Sequence, residues 1–239
     1  MRLTMDIGNT RAKWALFDGD RMVDNGTLGE GLPTGWQEME TLVCATGEAD
    51  LHALGLEGGR LRMLDADTPL PITLDYSTPA TLGADRIAAA CGAHKAGKAG
   101  CAKLIVDAGT CITIDYLDGN GVYHGGAILP GIAMKFRALH TFTAKLPLLE
   151  DVDPCQDCVT GRSTRESMEA GVLTATRYEV EGFVNHYLRQ VRELQVLMTG
   201  GDAERLRGAG LLKVDNLTVE PHLVMTGLNE ILTNLAFNV

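Results

Sequence analysis

One pattern occurs twice in this chain and limits its architecture more than any other feature. An apolar run carrying an aspartate at its end meets a glycine-centred turn, and a second extended run leads away. In the first copy Leu3 to Ile7 meets Gly8-Asn9-Thr10, and Lys13 to Phe17 continues to Asp18-Gly19-Asp20. About a hundred residues on, Lys103 to Val106 meets Asp107-Ala-Gly-Thr110, and Ile112 to Leu117 runs to the turn Asp118-Gly119-Asn120-Gly121. Short apolar runs separated by Gly, Asn, Asp and Thr read as β-hairpins. Two copies in two half-chains imply two similar αβ domains whose turns face one cleft. The boundary is expected near residue 101, giving domains 1–101 and 102–239.

Such a turn has a plain chemical use. Glycine lets the backbone bend tightly and approach a phosphate with no Cβ in the way. The N–H groups that follow, with the side chains of Asn9 and Thr10, can donate to phosphate oxygens. An aspartate at the strand end can hold a hydrated hard cation beside them. A single Asp-x-Gly turn says little, because such turns are common; the matched pair is what gives the pattern weight.

Between and after the copies the chain alternates strands and helices. Arg21 to Leu28 adds a third strand to the first hairpin. Trp36 to Leu42 has helical spacing, and Glu48 to Leu56 reads as another short helix. Leu61 to Leu64 is a strand, and Thr68 to Pro79 is Pro-rich and extended. The Ala-rich run from Ala84 to Lys95 is a helix closed by Gly97 and Gly100. Further helices are expected at Ile132 to His140, Ser167 to Leu188, Ala203 to Ala209 and Leu223 to Phe237. A strand at Gln195 to Met198 ends in Thr199-Gly-Gly-Asp202.

Composition closes off several classes. With 45% hydrophobic and 22% charged residues among 239, the chain can build a core. Its net charge of −10 and pI of 5.0 argue against a nucleic-acid surface. No run approaches the roughly 18 apolar residues of a membrane span, and the first residues lack a secretory apolar region. A cytoplasmic protein is expected. Its six cysteines are scattered and read as reduced thiols. Cys155-Gln-Asp-Cys158 has no second ligand pair and reads as incidental. The six histidines have no metal-ligand spacing. Gly92-Ala-His-Lys-Ala-Gly97-Lys98-Ala99 nearly spells a phosphate-binding P-loop, but it continues a helix and has alanine where Ser or Thr is needed.

Taken as a set, these motifs carry a resemblance. Asp6-Ile-Gly-Asn-Thr10, Asp107-Ala-Gly-Thr110 and Thr199-Gly-Gly-Asp202 resemble the two phosphate motifs and the adenosine motif of the acetate/sugar-kinase, heat-shock-protein and actin superfamily. Leu82-Gly-Ala-Asp-Arg86 and Gly125-Gly-Ala-Ile-Leu-Pro-Gly131 narrow it to type III pantothenate kinases. Thr143-Ala-Lys-Leu-Pro147, Gly161-Arg-Ser-Thr164 and Gly227-Leu228 also fit. One departure stands out: Cys44-Ala-Thr-Gly-Glu48 occupies the place of a Ser-Val-x-Pro run.

The resemblance implies an α/β fold of two actin-like (ribonuclease H-like) domains with a nucleotide cleft between them. It implies ATP, Mg2+ and a monovalent cation (K+ or NH4+) as cofactors, pantothenate as substrate, and a homodimer. By the same resemblance the loop Asp6, Ile7, Gly8, Asn9, Thr10, Arg11, Ala12 and Lys13 cradles ATP phosphates, with Asp6 near magnesium. Thr110 contacts phosphate, Gly200 and Gly201 meet the nucleotide, and Asp107 binds the monovalent cation. Asp85 is the general base; Tyr76, Gly83, Ala84, Asp85 and Arg86 contact pantothenate, and Thr164 reaches it from the partner subunit. The loop from Gly125 to Gly131 is expected at the substrate pocket or a dimer contact, although its glycines could be two plain turns around Ile128-Leu129. Asp85-Arg86 could be a simple helix-terminal ion pair. The implied reaction is phosphorylation of pantothenate to 4′-phosphopantothenate, the first step of coenzyme A synthesis. A nucleotide-binding accessory factor in gene regulation is the alternative on the same fold. A kinase of another small alcohol, or a phosphatase, is a further one.

Overall fold

The computed structural model describes residues 1–8, 10–46, 51–52, 54–56, 59–150, 152, 159–208 and 216–237. In chain order its strands and helices are β1 (Arg2–Ile7), β2 (Ala12–Asp18), β3 (Arg21–Thr27), β4 (Glu40–Ala45), β5 (Arg60–Met63), β6 (Thr73–Leu74) and α1 (Ala84–Ala96). Then follow β7 (Ala102–Ala108), β8 (Cys111–Leu117), β9 (Val122–Pro130), α2 (Ile132–Thr141), α3 (Thr164–Glu169), α4 (Ala175–Gln190), β10 (Leu194–Thr199), α5 (Ala203–Gly208), β11 (Leu217–Val219) and α6 (Leu223–Phe237).

The recurrence in sequence is a recurrence in topology. One sheet has the order β3-β2-β1-β4-β5, and the other runs β9-β8-β7-β10-β11 with β6 added beyond β9. In the first, β1 is antiparallel to β2 and parallel to β4, which is parallel to β5. In the second, β7 is parallel to β10 and β10 to β11. The mixed α/β class read from the sequence is therefore the observed one.

The chain forms two compact units. The first holds Met1–Gly100, Leu117–Gly125 and His222–Val239; the second holds Cys101–Tyr116 and Gly126–Pro221. These units differ from a single cut near residue 101 because both Leu117–Gly125 and α6 belong with the first unit. A Cβ placed on Gly92 of α1 would lie 2.1 Å from the Leu223 carbonyl oxygen, and one on Gly227 of α6 would lie 1.7 Å from that of Ala88. The two helix backbones thus meet at glycines, where no side chain fits. The stretch that nearly spells a P-loop is this helix crossing. The first core adds Leu3, Met5, Trp14, Trp36 and Val43; the second is built on Leu104, Val106, Ile112, Ile114, Val196 and Met198.

Three expectations need correction. Trp36 to Leu42 gives one 3-10 turn, Trp36–Glu38, and then β4. Leu42, Val43 and Cys44 are all fully buried, and a short apolar run buried on both faces has no period to read. The two-turn reading of Gly125 to Gly131 is replaced by the continuous strand β9. There a Cβ on Gly126 would lie 1.9 Å from the Ile114 carbonyl oxygen, so the glycine permits a close strand approach rather than a turn. The helix read from Ser167 to Leu188 is α3, a π-helical turn at Ala170–Thr174, and α4. The helix expected from Glu48 to Leu56 falls partly outside the described residues, and its described part is turn. Cys155 and Cys158 lie wholly outside them.

Candidate active site

In the first unit, β1 delivers Asp6 and β4 runs parallel beside it, with Asp6 opposite Cys44 and Ile7 opposite Ala45. Across the hairpin Asp6 faces Lys13 and Ile7 faces Ala12. The turn closes through the Gly8 N–H, which donates to the Arg11 carbonyl at 3.1 Å. A Cβ on Gly8 would come within 3.3 Å of that oxygen. Thr46 then ties β4 to the turn, its N–H donating to the Ile7 carbonyl at 3.1 Å. Thr10, Arg11 and Lys13 are exposed beside this turn, as a surface that receives a solute requires. Asn9 lies outside the described residues.

Two carboxylates interact here. Burial pushes the Asp6 carboxyl up; the Cys44 thiol, donating to Asp6 Oδ1 at 3.3 Å, opposes this. The charge of Asp85 pushes Asp6 further up, and Lys13 pulls it down. Asp85 stands in the first turn of α1, with Gly83 as the N-cap residue. Its Oδ1 accepts from the Arg86 N–H at 2.9 Å. That same oxygen would be 2.5 Å from a Cβ on Gly83, so glycine gives the carboxylate its room. Ala84 opens the helix, and Arg86 is buried at 6% exposure. A carboxylate at a helix N-terminus is held by the free N–H groups there.

Tyr76 is also in the first unit, partly buried. Its ring lies 6.1 Å from that of Tyr123 and tilted by 49°. Gly125, at φ 83°, would place a Cβ 2.9 Å from Tyr76 Cε2. The first glycine of the Gly125-to-Gly131 motif therefore makes room for the tyrosine that the sequence singles out.

In the second unit, Asp107 is the last residue but one of β7, paired with Thr199 at the end of β10. The Gly109 N–H donates to the Cys111 carbonyl at 3.0 Å, closing the turn. Gly200, at φ 91°, would carry a Cβ 2.5 Å from both the Ala108 backbone and Asp107 Oδ1. The Asp202 N–H donates to the Ala108 carbonyl at 2.9 Å. Gly131 joins the group, its N–H donating to the Thr110 carbonyl at 3.1 Å. Thus Asp107, Thr110, Gly200 and the last residue of the Gly125-to-Gly131 motif are brought together, with exposed Gly201 alongside. Thr164 is exposed at the start of α3, whose N-cap Ser163 accepts from the Glu166 N–H at 3.2 Å.

Cys44 was absent from the residues that the sequence marks as functional. Its only signal is the departure from Ser-Val-x-Pro, and its place beside Asp6 depends on strand register.

Two sheets of one order, each with an aspartate and a glycine turn at the end of its central strand, define an actin-like kinase or ATPase fold. The structure matches a protein described as a Baf family transcriptional activator from Campylobacter jejuni with TM-score 0.62 and 22% identity, covering 99% of this chain and 100% of that one. One described as a 2-dehydro-3-deoxygalactonokinase from Sinorhizobium meliloti gives TM-score 0.57 at 12% identity, covering 98% and 99%. In sequence, residues 56–186 match the type III pantothenate kinase family model. The type III pantothenate kinase of Phocaeicola vulgatus is 36% identical over 244 residues, covering 98% of each chain. The chain belongs to the type III pantothenate kinase family.

Proposed function

We propose that this chain transfers the γ-phosphoryl group of ATP to the primary hydroxyl of pantothenate, giving ADP and 4′-phosphopantothenate for coenzyme A synthesis. The observation that carries the mechanism is the Asp6–Asp85 pair: two carboxylates of one unit, one on β1 and one in the first turn of α1, with the charge of Asp85 acting on Asp6. Phosphoryl transfer needs alignment and charge neutralisation more than covalent help. Asp85 accepts the proton of the attacking hydroxyl, work that contributes about 10²- to 10⁴-fold when the geometry is right. Arg86, with Gly83, Ala84 and Tyr76, orients pantothenate.

Asp6 suits a magnesium-bound phosphate: burial and the charge of Asp85 push its carboxyl up although Lys13 pulls the other way, so a cation beside it would relieve the repulsion. Magnesium supplies neutralisation of the phosphate oxygens when bound. The turn from Ile7 to Lys13, including Asn9, supports phosphate binding through its N–H groups, with Thr110 as a further contact. Gly200 and Gly201 serve the nucleotide: at Gly200 a side chain would strike the Ala108 backbone, so the chain there is bare. Asp107, whose Oδ1 lies against that bare glycine, is the ligand proposed for K+ or NH4+. The exposed Thr164 is proposed to reach the partner's substrate in a homodimer. A cytoplasmic enzyme fits these small soluble substrates, and among the described residues no helix is long and apolar enough to cross a membrane.

The regulatory name of the Campylobacter protein suggests a nucleotide-binding factor as a rival. Asp6, Asp85 and Asp107 are all present here, which favours catalysis. Coupled ADP release with pantothenate, ATP, magnesium and potassium tests the proposal, with Asp85→Asn alongside. Turnover that depends on pantothenate and falls about 100-fold or more in a folded variant is expected. Nucleotide binding without pantothenate turnover would overturn the reading.

A further inference from the structure

Cys44 is completely buried at the end of β4, directly opposite Asp6 in the parallel register of β1 and β4. Side chains of such partners stand beside each other at the strand spacing of about 4.8 Å. The thiol donates to Asp6 Oδ1 at 3.3 Å. For burial alone an alanine or valine would serve at this position, since Leu42 and Val43 before it are fully buried and apolar. An apolar residue would leave Oδ1 without this donor, in a place where Asp85 already repels the charge.

We propose that Cys44 is the positioning residue for Asp6: its S–H fixes Oδ1, and with it the rotation of the carboxylate that meets the magnesium–nucleotide. The inference rests on the magnesium role proposed for Asp6. A thiol suits the task because it donates weakly and carries no charge. It orients the carboxylate and leaves its negative charge available to a cation, whereas a lysine at this place would neutralise it.

The test compares Cys44→Ala, Cys44→Ser and the unaltered protein by calorimetric titration of a non-hydrolysable ATP analogue with magnesium. Losing a hydrogen bond to a charged group corresponds to roughly tenfold in affinity. Cys44→Ala is therefore expected to bind magnesium–nucleotide about tenfold more weakly, with the pantothenate KM unchanged. Cys44→Ser, which keeps a donor, is expected within about twofold of the unaltered protein. Equal binding by the alanine variant, or a serine variant as weak as alanine, would overturn the proposal. If Cys44→Ala fails to fold, the infrared S–H band that is present in the unaltered protein and absent from Cys44→Ser decides. It is expected at lowered frequency, shifting when magnesium–nucleotide binds; a band at the frequency of an unbonded thiol, unmoved by nucleotide, would sink the idea. Because the titration does not require turnover, a protein that binds nucleotide but ignores pantothenate would refute the substrate and leave the Cys44 result standing.

Discussion

Asp6 shows how a single residue is held against its own preference for water. Its carboxyl is pushed up chiefly by burial and then by the charge of Asp85. The folded chain therefore holds that proton more tightly than the unfolded chain does. In the window above the ordinary aspartate value the folded state binds more protons, so stability falls as pH rises through the raised value. At neutral pH the ionised carboxylate weakens the fold, a cost that binding sites commonly carry. Asp6→Asn is accordingly expected to raise Tm at pH 7, with the gain shrinking as pH is lowered toward 4. The same variant should lose turnover by about 100-fold or more, in the range that charge-stabilising groups supply. Thermal scans at both pH values and one rate measurement check both halves; a Tm lower than that of the parent at pH 7 would refute the account.

At the scale of elements, the glycines separate into those that packing requires and those that it does not. The α1–α6 crossing brings backbones so close that Gly92 and Gly227 leave no space for a methyl group. Gly92→Ala or Gly227→Ala should cost about 3 kcal/mol or more, because the helices must separate. Gly182, exposed in α4, meets nothing within 4 Å. There the same change is expected to stabilise by roughly 0.5–1 kcal/mol, through helix propensity alone. Denaturant unfolding of the three variants gives the comparison, and equal effects at Gly182 and Gly92 would contradict it. The sequence presents all three only as glycines within helical stretches.

For the molecule as a whole, the long separation in sequence between α1 and α6 matters to stability. Leu223, Met225, Leu228, Ile231 and Leu232 of α6 are buried, at about 1.5–3 kcal/mol for each such side chain. Their sum rivals the roughly 5–15 kcal/mol that holds a typical domain together. Deleting residues 222–239 should therefore unfold the first unit, although its sheet and the Asp6 turn remain in the chain. Loss of the cooperative near-ultraviolet transition is the expected readout. A truncated protein that still unfolds cooperatively would show that α6 is dispensable.

The sequence alone determined the repeat, the αβ class and the two aspartate turns, because each rests on local chemistry: an apolar run, a glycine and a charged strand end. The Gly83-to-Arg86 segment was legible for the same reason, as a helix start with an aspartate in its first turn. The tertiary structure decided what depends on register and close approach. It placed Cys44 against Asp6, fitted Tyr76 beside Gly125, made β9 a strand across Gly126, and returned α6 to the first unit. In each case the deciding neighbour is distant in the chain: 38 residues separate Cys44 from Asp6. Hydrophobic periodicity reports which face of an element is apolar. Which element that face or strand end will meet is settled only when the sheet pairs and the helices pack.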